Sequence, residues 1–274
     1  MTHSFFFSHH EGSSFFDFLT QHHPELRPGL SEIAIQRAAL PVDFGRPGTI
    51  PVPHGTTVLA LKYRDGAIIA GDRRATEGFQ IADRRIEKVF RIDDYSAMAI
   101  AGAAGPCIEM AKLFQTELEH YEKLEGVQLS CEGKANKRGQ RGKANLPMVF
   151  QGLVVMPRDV GYDLKRNEGR IFKYDITGGR YEESDHATTG SGSLHATTVI
   201  KLGWRDSLTG DAAIDLALRA LYEAADEDSA TGGPDLVRGI YPVVATITAD
   251  GWSRLDDPEL VDVFESIAGE VRSR

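Results

Sequence analysis

Residues 57–71 read TVLALKYRDGAIIAG, two apolar stretches that flank a charged turn ending in glycine. Thr57–Tyr63 and Ala67–Gly71 are rich in β-branched and aliphatic residues, so this order predicts a β-hairpin. A second predicted hairpin follows, with Lys88–Ile92 and Tyr95–Ala101 as its strands. A doubly wound parallel fold needs helices between successive strands, and none is predicted among these four. This part of the chain therefore predicts antiparallel sheet.

Helices are predicted farther along the chain, where apolar residues recur at spacings of three and four. The clearest begins after Thr209, with Ile214, Leu218 and Leu221 on one face. The other predicted elements are a helix that starts near Pro106, a helix over Asn145–Leu153, strands around Leu153–Met156, Ile171–Tyr174, Ala187–Thr189 and Tyr241–Thr248, and a final helix over Pro258–Val271. Helices segregated onto the faces of antiparallel sheet give an α+β fold. We predict a four-layer αββα sandwich of two antiparallel sheets flanked by helices.

The first 55 residues differ in composition from the 219 that follow. They hold six of the nine histidines, seven of the thirteen phenylalanines and six of the twelve prolines. A segment so often interrupted by proline does not easily build a core, so its apolar patches are interpreted as docking on another surface. The sequence therefore predicts an appendage over residues 1–55 and a globular domain over residues 56–274.

Composition and charge argue against several classes of function. The net charge of -9 gives phosphate-rich partners no general attraction, so nucleic acid is not an expected partner. The chain has no apolar run of about 18 residues, so a membrane is not expected either. Cys107 and Cys131 match no metal-ligand spacing, and neither a metal nor an organic cofactor is expected. Two cysteines without a disulfide pattern favour a reducing, cytoplasmic location.

One run of basic residues departs from the acidic balance of the chain. It carries no interleaved aromatic residues that could stack on bases, so we interpret it as a solvated face or a contact to an acidic neighbouring subunit. Its members are Lys134, Lys137, Arg138, Arg141 and Lys143.

The predicted hairpins also bring chemically useful residues together. If both hairpins lie in one sheet, the residues at four of their strand ends fall at the same edge. These residues are Thr56, Asp72, Lys88 and Gly102. A threonine hydroxyl is a weak nucleophile, but in a chain that began at Thr56 the α-amino group, with a reference pKa of about 7.7 to 8.0, could take its proton. Lys88 would stabilise the alkoxide, Asp72 would keep Lys88 charged, and the Gly102 N–H would bind an oxyanion. The set predicts nucleophilic catalysis on a carbonyl group.

Two motifs at these positions, His54-Gly55-Thr56-Thr57-Val58 and Gly71-Asp72-Arg73-Arg74, carry a resemblance to a known family. They resemble the start of catalytic proteasome β subunits, members of the N-terminal nucleophile hydrolases, and the actinobacterial type most of all. Further segments similar to that type are Leu118–Gly126 (LEHYEKLEG), Gly190–Ser193 (GSGS) and Asp228–Gly239 (DSATGGPDLVRG). The similarity runs from about Gly55 to the C-terminal region.

The resemblance implies a role for each residue that matches the family pattern. The implied catalytic residues are Thr56 as nucleophile, Asp72 and Lys88 as its charged supports, Gly102 as oxyanion donor, and Ser191, Asp228 and Thr231 as hydrogen-bonding supports of the amine. Thr231 stands where many relatives carry serine. The implied substrate pocket is lined by Ala75, Thr76, Ile86, Phe90, Ile100 and Ala104. Because this lining is mostly apolar, cleavage after hydrophobic residues is expected.

Maturation by self-cleavage is implied as well. In the full chain the nitrogen of Thr56 is locked in the peptide bond to Gly55, so the catalytic base is absent. We expect the Thr56 hydroxyl to attack the Gly55 carbonyl, to shift the acyl group from nitrogen to oxygen, and to let water cleave the ester. Glycine at position 55 permits the tight bend that this attack needs. Residues 1–55 would then be a propeptide, and residues 56–274 the catalytic domain.

The resemblance also implies partners for the chain, and three alternative functions remain to be compared with it. The resemblance implies proteasome α subunits, further β subunits in heptameric rings of an α7β7β7α7 particle, protein or peptide substrates, and an ATP-dependent unfoldase that acts through the α ring. The alternatives are the peptidase subunit of the bacterial two-component ATP-dependent protease, which forms six-membered rings, a non-catalytic ring subunit, and a small-molecule amidase with an N-terminal threonine. The long leader disfavours the first of these. The joint presence of Thr56, Asp72 and Lys88 disfavours a non-catalytic ring subunit. Particle mass distinguishes a proteasome subunit from a small-molecule amidase, because an amidase need not form a particle of hundreds of kilodaltons.

Overall fold

The computed structural model describes residues 56–77, 80–102, 104–144, 146 and 154–273. The predicted appendage over residues 1–55 lies outside the described residues, and so does the predicted helix Asn145–Leu153 except for Leu146. None of the described helices is long and apolar enough to cross a membrane.

A five-stranded antiparallel sheet, here called the first sheet, contains the hairpin that starts the described chain. Its strands in spatial order are β10 (His186–Gly190), β1 (Thr57–Tyr63), β2 (Gly66–Gly71), β11 (Val243–Thr248) and β12 (Gly251–Arg254). Every neighbouring pair is antiparallel. The first predicted hairpin is thus confirmed. Strands β1 and β2 lie inside the sheet and are buried on both faces, which explains why they are continuous apolar runs.

The second sheet is a five-stranded antiparallel meander. Its strands, in chain and spatial order alike, are β5 (Val89–Asp93), β6 (Ser96–Gly102), β7 (Val155–Asp163), β8 (Glu168–Tyr174) and β9 (Arg180–Glu183). Neighbouring strands again pair antiparallel. Strands β5 and β6 confirm the second predicted hairpin.

Four strands were not predicted. They are β9, β12 and the two-stranded ribbon formed by β3 (Ala75–Glu77) and β4 (Gln80–Asp83). Each is only three or four residues long and largely exposed. Strands this short and polar carry no hydrophobic period that a sequence pattern could reveal.

The premise that both hairpins lie in one sheet is wrong. β1–β2 belongs to the first sheet and β5–β6 to the second, and the sheets stack face to face. Ala60 and Ile69 of the first sheet share a buried cluster with Ala99 of the second. Each hairpin has two apolar faces, so one face is covered by the other sheet and one by helices. Strand ends of the two hairpins still meet, because a Cβ at Gly71 would lie only 3.4 Å from Val89 Cγ2.

Five helices in the described residues form the outer layers. On the second sheet lie α1 (Ala104–Glu125) and α2 (Cys131–Ala144), and on the first lie α3 (Ser193–Gly203), α4 (Gly210–Glu227) and α5 (Asp257–Ser273). The expected four-layer αββα sandwich is thereby confirmed. So are the helices predicted near Pro106, after Thr209 and over Pro258–Val271. The Thr209 hydroxyl caps α4 by accepting the Ala212 N–H.

Helix α2 was not predicted, and the basic run lies in it. The interpretation of this run as a solvated face is wrong for Lys134 and Arg138, whose side chains are buried. The Lys134 ammonium lies 2.6 Å from a carboxylate oxygen of Asp93. The Arg138 guanidinium lies over the Phe114 ring, 5.4 Å from its centroid. The two cations therefore anchor α2 to the second sheet and to α1.

The glycines of α2 explain why its sequence does not read as a helix. Gly139 and Gly142 weaken helix propensity. A Cβ at Gly139 would lie 3.0 Å from the carbonyl oxygen of Gly178, and one at Gly142 would lie 3.0 Å from the Gly178 Cα. Glycine at these positions lets α2 lie directly against the turn between β8 and β9.

Candidate active site

The Asp72 carboxylate is the centre of the predicted site. It follows the last residue of β2 and is wholly buried. Its Oδ1 accepts the Thr57 N–H at 2.7 Å and the Lys88 ammonium at 2.7 Å. Its Oδ2 accepts the backbone N–H groups of Arg74 at 2.9 Å and Gly232 at 2.8 Å. Four donors surround one carboxylate, so its orientation is fixed by groups from four separate parts of the chain.

Lys88 lies immediately before β5, and its side chain is only 5% exposed. Besides Asp72, its ammonium donates to the Arg74 carbonyl at 2.6 Å. Burial holds the pKa of Lys88 below its usual value, although the Asp72 carboxylate opposes this effect. A buried ammonium of lowered pKa, held by one carboxylate and one carbonyl, is suited to stabilising a nearby alkoxide and to exchanging protons.

Thr56 lies directly before β1 and is nearly wholly buried, with 4% of its surface exposed. Its carbonyl oxygen accepts the Ser191 N–H at 2.9 Å and lies 3.4 Å from the Ser191 hydroxyl. At Gly190, the last residue of β10, φ is +106° and a Cβ would overlap the Thr56 carbonyl oxygen. Only glycine lets β10 approach Thr56 this closely.

The adjacent threonines Thr56 and Thr57 belong to opposite faces of the first sheet. Alternation along an extended chain places Thr56 on the face of Val58, which packs between the sheets. It places Thr57 on the face of Leu59 and Leu61, which pack under the helices. The two hydroxyls therefore face different environments, and the Thr56 face is the one toward the second sheet.

Ser191, Asp228 and Thr231 form a connected group, and their implied role as supports of the Thr56 amine stays a prediction. Asp228 follows the last residue of α4. Its Oδ2 accepts hydrogen bonds from the Ser191 and Thr231 hydroxyls, each at 2.5 Å, and its Oδ1 accepts the Ala230 N–H at 3.2 Å. Burial raises the pKa of Asp228, but these hydrogen bonds outweigh it and hold the pKa below the usual value. The threonine at position 231 thus makes the contact to Asp228 through its hydroxyl, and its methyl group does not prevent it.

Gly102 ends β6 at the same edge as Lys88. The Ile100 N–H donates to the Lys88 carbonyl at 3.0 Å, and Gly102 follows two residues later. Its φ is +126°, and a Cβ would overlap the Val154 carbonyl oxygen. This backbone is therefore restricted to glycine. The role of its N–H as an oxyanion donor stays a prediction.

The predicted substrate pocket stays a prediction, and the structure describes the side chains of five of its six residues. Phe90 and Ile100 lie on the same face of the second sheet as Lys88, since Phe90 is two residues from Lys88 and Ile100 is hydrogen-bonded opposite it. Ala75 is buried in β3, and Thr76 and Ile86 are half-buried. The side chain of Ala104 lies outside the described part of the chain. Among the described residues, no group of three or more His, Cys, Asp or Glu is placed to hold a metal ion.

Sequence reasoning missed several groups that complete the site. They are the Thr57 N–H and hydroxyl, the Arg74 N–H and carbonyl, the Gly192 N–H and the Gly232 N–H. Most are backbone groups, which no side-chain pattern identifies. Of these residues, only Thr57 could have been noticed in the sequence, because it is a polar residue at the start of an apolar strand.

Comparison with known proteins places this arrangement in a family. The proteasome subunit family matches residues 52–237. Proteasome subunit beta of Acidimicrobium ferrooxidans is 52% identical over 249 residues, which cover 90% of this chain and 91% of the relative. Proteasome subunit beta of Streptomyces griseus is 51% identical over 255 residues, covering 93% and 87%. That of Jonesia denitrificans is 47% identical over 257 residues, covering 94% and 82%. The chain therefore belongs to the proteasome subunit family.

Proposed function

We propose that this chain is a catalytic β subunit of a 20S proteasome, a threonine-type endopeptidase that uses Thr56 as its nucleophile. The observation that carries this proposal is the Asp72 carboxylate. It binds the Lys88 ammonium and the N–H of Thr57, the residue next to Thr56, through the same oxygen. A subunit that only built a particle would have no need for a buried lysine and aspartate in contact with the residue next to Thr56.

The chemistry of the mature enzyme follows from these contacts. Once Thr56 is the first residue, its free amine takes the hydroxyl proton, and the Thr56 oxygen attacks a peptide carbonyl. Lys88 stabilises the negative charge on oxygen, and Asp72 keeps Lys88 oriented. The amine product leaves with a proton, an acyl ester forms on Thr56, and water hydrolyses this ester. Ser191 holds the Thr56 carbonyl through its N–H, so the nucleophile has a fixed backbone.

Self-cleavage between Gly55 and Thr56 creates this amine. The Thr56 hydroxyl attacks the Gly55 carbonyl, the peptide nitrogen becomes the amine, and water cleaves the resulting ester to release residues 1–55. The family match begins at residue 52, close to this bond. The aligned stretches of 249 to 257 residues exceed the 219 residues that follow Gly55, so the relatives share part of the leader as well.

Substrate preference depends on the side chains next to Lys88. Phe90 and Ile100 are apolar and lie on the Lys88 face, while Ala75 is small and buried. We therefore propose cleavage after hydrophobic residues. Fluorogenic peptides that differ only at the residue before the scissile bond test this preference, and faster turnover of an acidic or basic residue at that position would contradict it.

Family membership implies assembly into a multi-subunit particle. The proposed arrangement is a ring of seven β subunits, stacked on a second such ring and capped by rings of seven α subunits, with an ATP-dependent unfoldase acting through the α ring. The proposed location is the cytoplasm. Free Cys107 and Cys131 are compatible with a reducing compartment.

The experiment that tests the proposed function is intact mass measurement of the chain, before and after assembly with α subunits. A product that starts at Thr56 is expected, together with peptidase activity in the particle. The variant Thr56→Ala should stay full length and inactive. Thr116→Ala, which removes an exposed hydroxyl on α1, is the matched control and should be processed normally. A wild-type chain that stays full length in a complete particle would refute the proposal, and a six-membered ring would identify the other type of peptidase.

A further inference from the structure

A second threonine hydroxyl lies behind the nucleophile. Thr57 Oγ1 is 2.6 Å from Thr231 Oγ1, and both residues are wholly buried. On this face β1 otherwise presents Leu59 and Leu61, which pack under the helices. Valine would fill the same volume as Thr57 without the cost of burying a hydroxyl. We therefore infer that the buried Thr57 hydroxyl has a role other than packing.

The contacts of this hydroxyl fix the direction of its proton. The Gly192 N–H donates to Thr57 Oγ1 at 3.0 Å. Thr231 has a single hydroxyl proton and donates it to Oδ2 of Asp228. Thr231 Oγ1 therefore accepts at its contact with Thr57, so the Thr57 proton is directed to Thr231 Oγ1. The reverse order would leave two oxygens 2.5 Å apart, Thr231 Oγ1 and Asp228 Oδ2, with no proton from Thr231 between them.

The space around the two hydroxyls is closed. A Cβ at Gly192 would lie 2.6 Å from Thr57 Oγ1 and 2.8 Å from Thr231 Oγ1. Even a methyl group does not fit there, so each hydroxyl keeps the partner that the structure gives it. The hydrogen bonds therefore form a single ordered chain from Gly192 through Thr57 and Thr231 to Asp228.

Thr57 also contacts the other half of the site. Its backbone N–H donates to Oδ1 of Asp72, the oxygen that binds Lys88. Its hydroxyl is linked through Thr231 to Asp228. One residue thus joins the charged pair on one side of Thr56 to the hydroxyl and carboxylate group on the other.

We propose that Thr57 is a positioning residue of the active site, whose hydroxyl holds Thr231 in the orientation that donates to Asp228. This inference rests on the proposed function. Without the Thr57 hydroxyl, the Gly192 N–H loses its acceptor and Thr231 loses the donor that orients it. Asp228 then holds Ser191 less firmly, and Ser191 is the residue that binds the Thr56 carbonyl. The effect falls on the nucleophile, while Phe90 and Ile100 of the substrate pocket are untouched.

The test compares Thr57→Val, which keeps the shape and loses the hydroxyl, with Thr57→Ser, which keeps the hydroxyl. Full-length chains are assembled with α subunits and assayed on a peptide with a hydrophobic residue before the scissile bond. Intact mass measurement gives the amount of chain that starts at Thr56, and the activity is divided by this amount. We expect kcat of Thr57→Val to fall about tenfold or more, with KM changed less than about twofold. Thr57→Ser should restore kcat to within about threefold of wild type. If Thr57→Val does not assemble, Thr57→Cys, a weak donor of similar size, replaces it under the same criteria.

The same substitutions in a Thr231→Val background test whether Thr57 acts through Thr231. If it does, Thr57→Val lowers kcat no further in that background. Additive losses, an unchanged kcat in Thr57→Val, or a change confined to KM would overturn the inference. Failure of the proposed function gives different results. In that case the wild-type particle has no peptidase activity, or the Thr56→Ala particle is as active as the wild type.

Discussion

The Lys88 ammonium and the Asp72 carboxylate lie 2.7 Å apart, and both side chains are almost completely removed from solvent. An ion pair in such a setting is strongly affected by the loss of either partner, since the other is left as a buried charge. The pair sits where the two sheets meet, with Asp72 after β2 and Lys88 before β5. Its integrity therefore depends on the stacking of the sheets as well as on the two residues.

Asp72→Asn should lower kcat at pH 7.5 by about 100-fold or more, because Lys88 loses its counter-charge and its pKa falls further below the usual value. Steady-state peptidase assays on particles of verified composition measure this. Asp65→Asn, in the exposed turn between β1 and β2, is the matched control and should retain full activity. A kcat for Asp72→Asn within about tenfold of wild type would show that Lys88 does not depend on Asp72.

Two nearby glycines should respond in opposite ways to alanine. At Gly102 φ is +126° and a Cβ would overlap the Val154 carbonyl oxygen, so Gly102→Ala should lower the free energy of unfolding by about 2 kcal/mol or more. At Gly105, in the first turn of α1, nothing lies within 4 Å of an added Cβ, so Gly105→Ala should be neutral or stabilise by up to about 1 kcal/mol. Chemical denaturation of the isolated full-length subunit measures both. Equal effects would contradict the conformational argument.

The parts of the fold that the sequence predicted are those with a long apolar period. Strands β1 and β2 and helix α4 were predicted because their buried faces require apolar residues in long runs or at regular spacings in the sequence. Helix α2 was missed because Gly139 and Gly142 serve close packing on Gly178, a contact between segments distant in the chain. The short, largely exposed strands β3, β4, β9 and β12 have no such pattern to detect.

In the candidate site too, some groups were predicted from the sequence and others were not. The predicted hairpins singled out the side chains of Asp72 and Lys88, and motif resemblance added Asp228; the structure shows the hydrogen-bond partners of all three. The contributions of Thr57 and Gly232 were missed, because they arise from backbone N–H groups that point at Asp72 only after folding. The placement of the hairpins was also wrong, because strand pairing alone does not reveal whether two hairpins extend one sheet or face each other.

Both cysteines should resist alkylation in the folded subunit. Burial raises the pKa of Cys107 and of Cys131 to about 12, so almost no thiolate is present near neutral pH. Mass spectrometry after iodoacetamide treatment at pH 7.5 should find no modification in the native chain and two in guanidinium. Ser207→Cys, which places a thiol in an exposed turn, is the positive control and should add one modification. Rapid native labelling of Cys107 or Cys131 would contradict this prediction.

Asp159 should make stability depend on pH in a direction opposite to that of most carboxylates. It is buried in β7, where its carboxylate accepts the Tyr174 hydroxyl at 2.9 Å and lies 4.0 Å from Arg138. Burial raises its pKa from 3.8 to about 6, against the opposing effects of Arg138 and Tyr174. The folded chain therefore binds this proton more tightly than the unfolded chain does. The resulting stability is fully present below about pH 4 and is lost as pH rises through about 6, up to about 3 kcal/mol in total.

Asp159→Asn isolates this effect, because asparagine mimics the neutral acid at every pH. The free energy of unfolding of the wild-type subunit minus that of Asp159→Asn should fall as pH rises from 4 to 7 and then level off. Chemical denaturation at a series of pH values measures it, with Asp250→Asn in the exposed turn before β12 as the matched control, for which the difference should not fall in this way. A difference for Asp159→Asn that rises over this range would mean that the Arg138 charge outweighs burial and that Asp159 stays ionised in the folded chain.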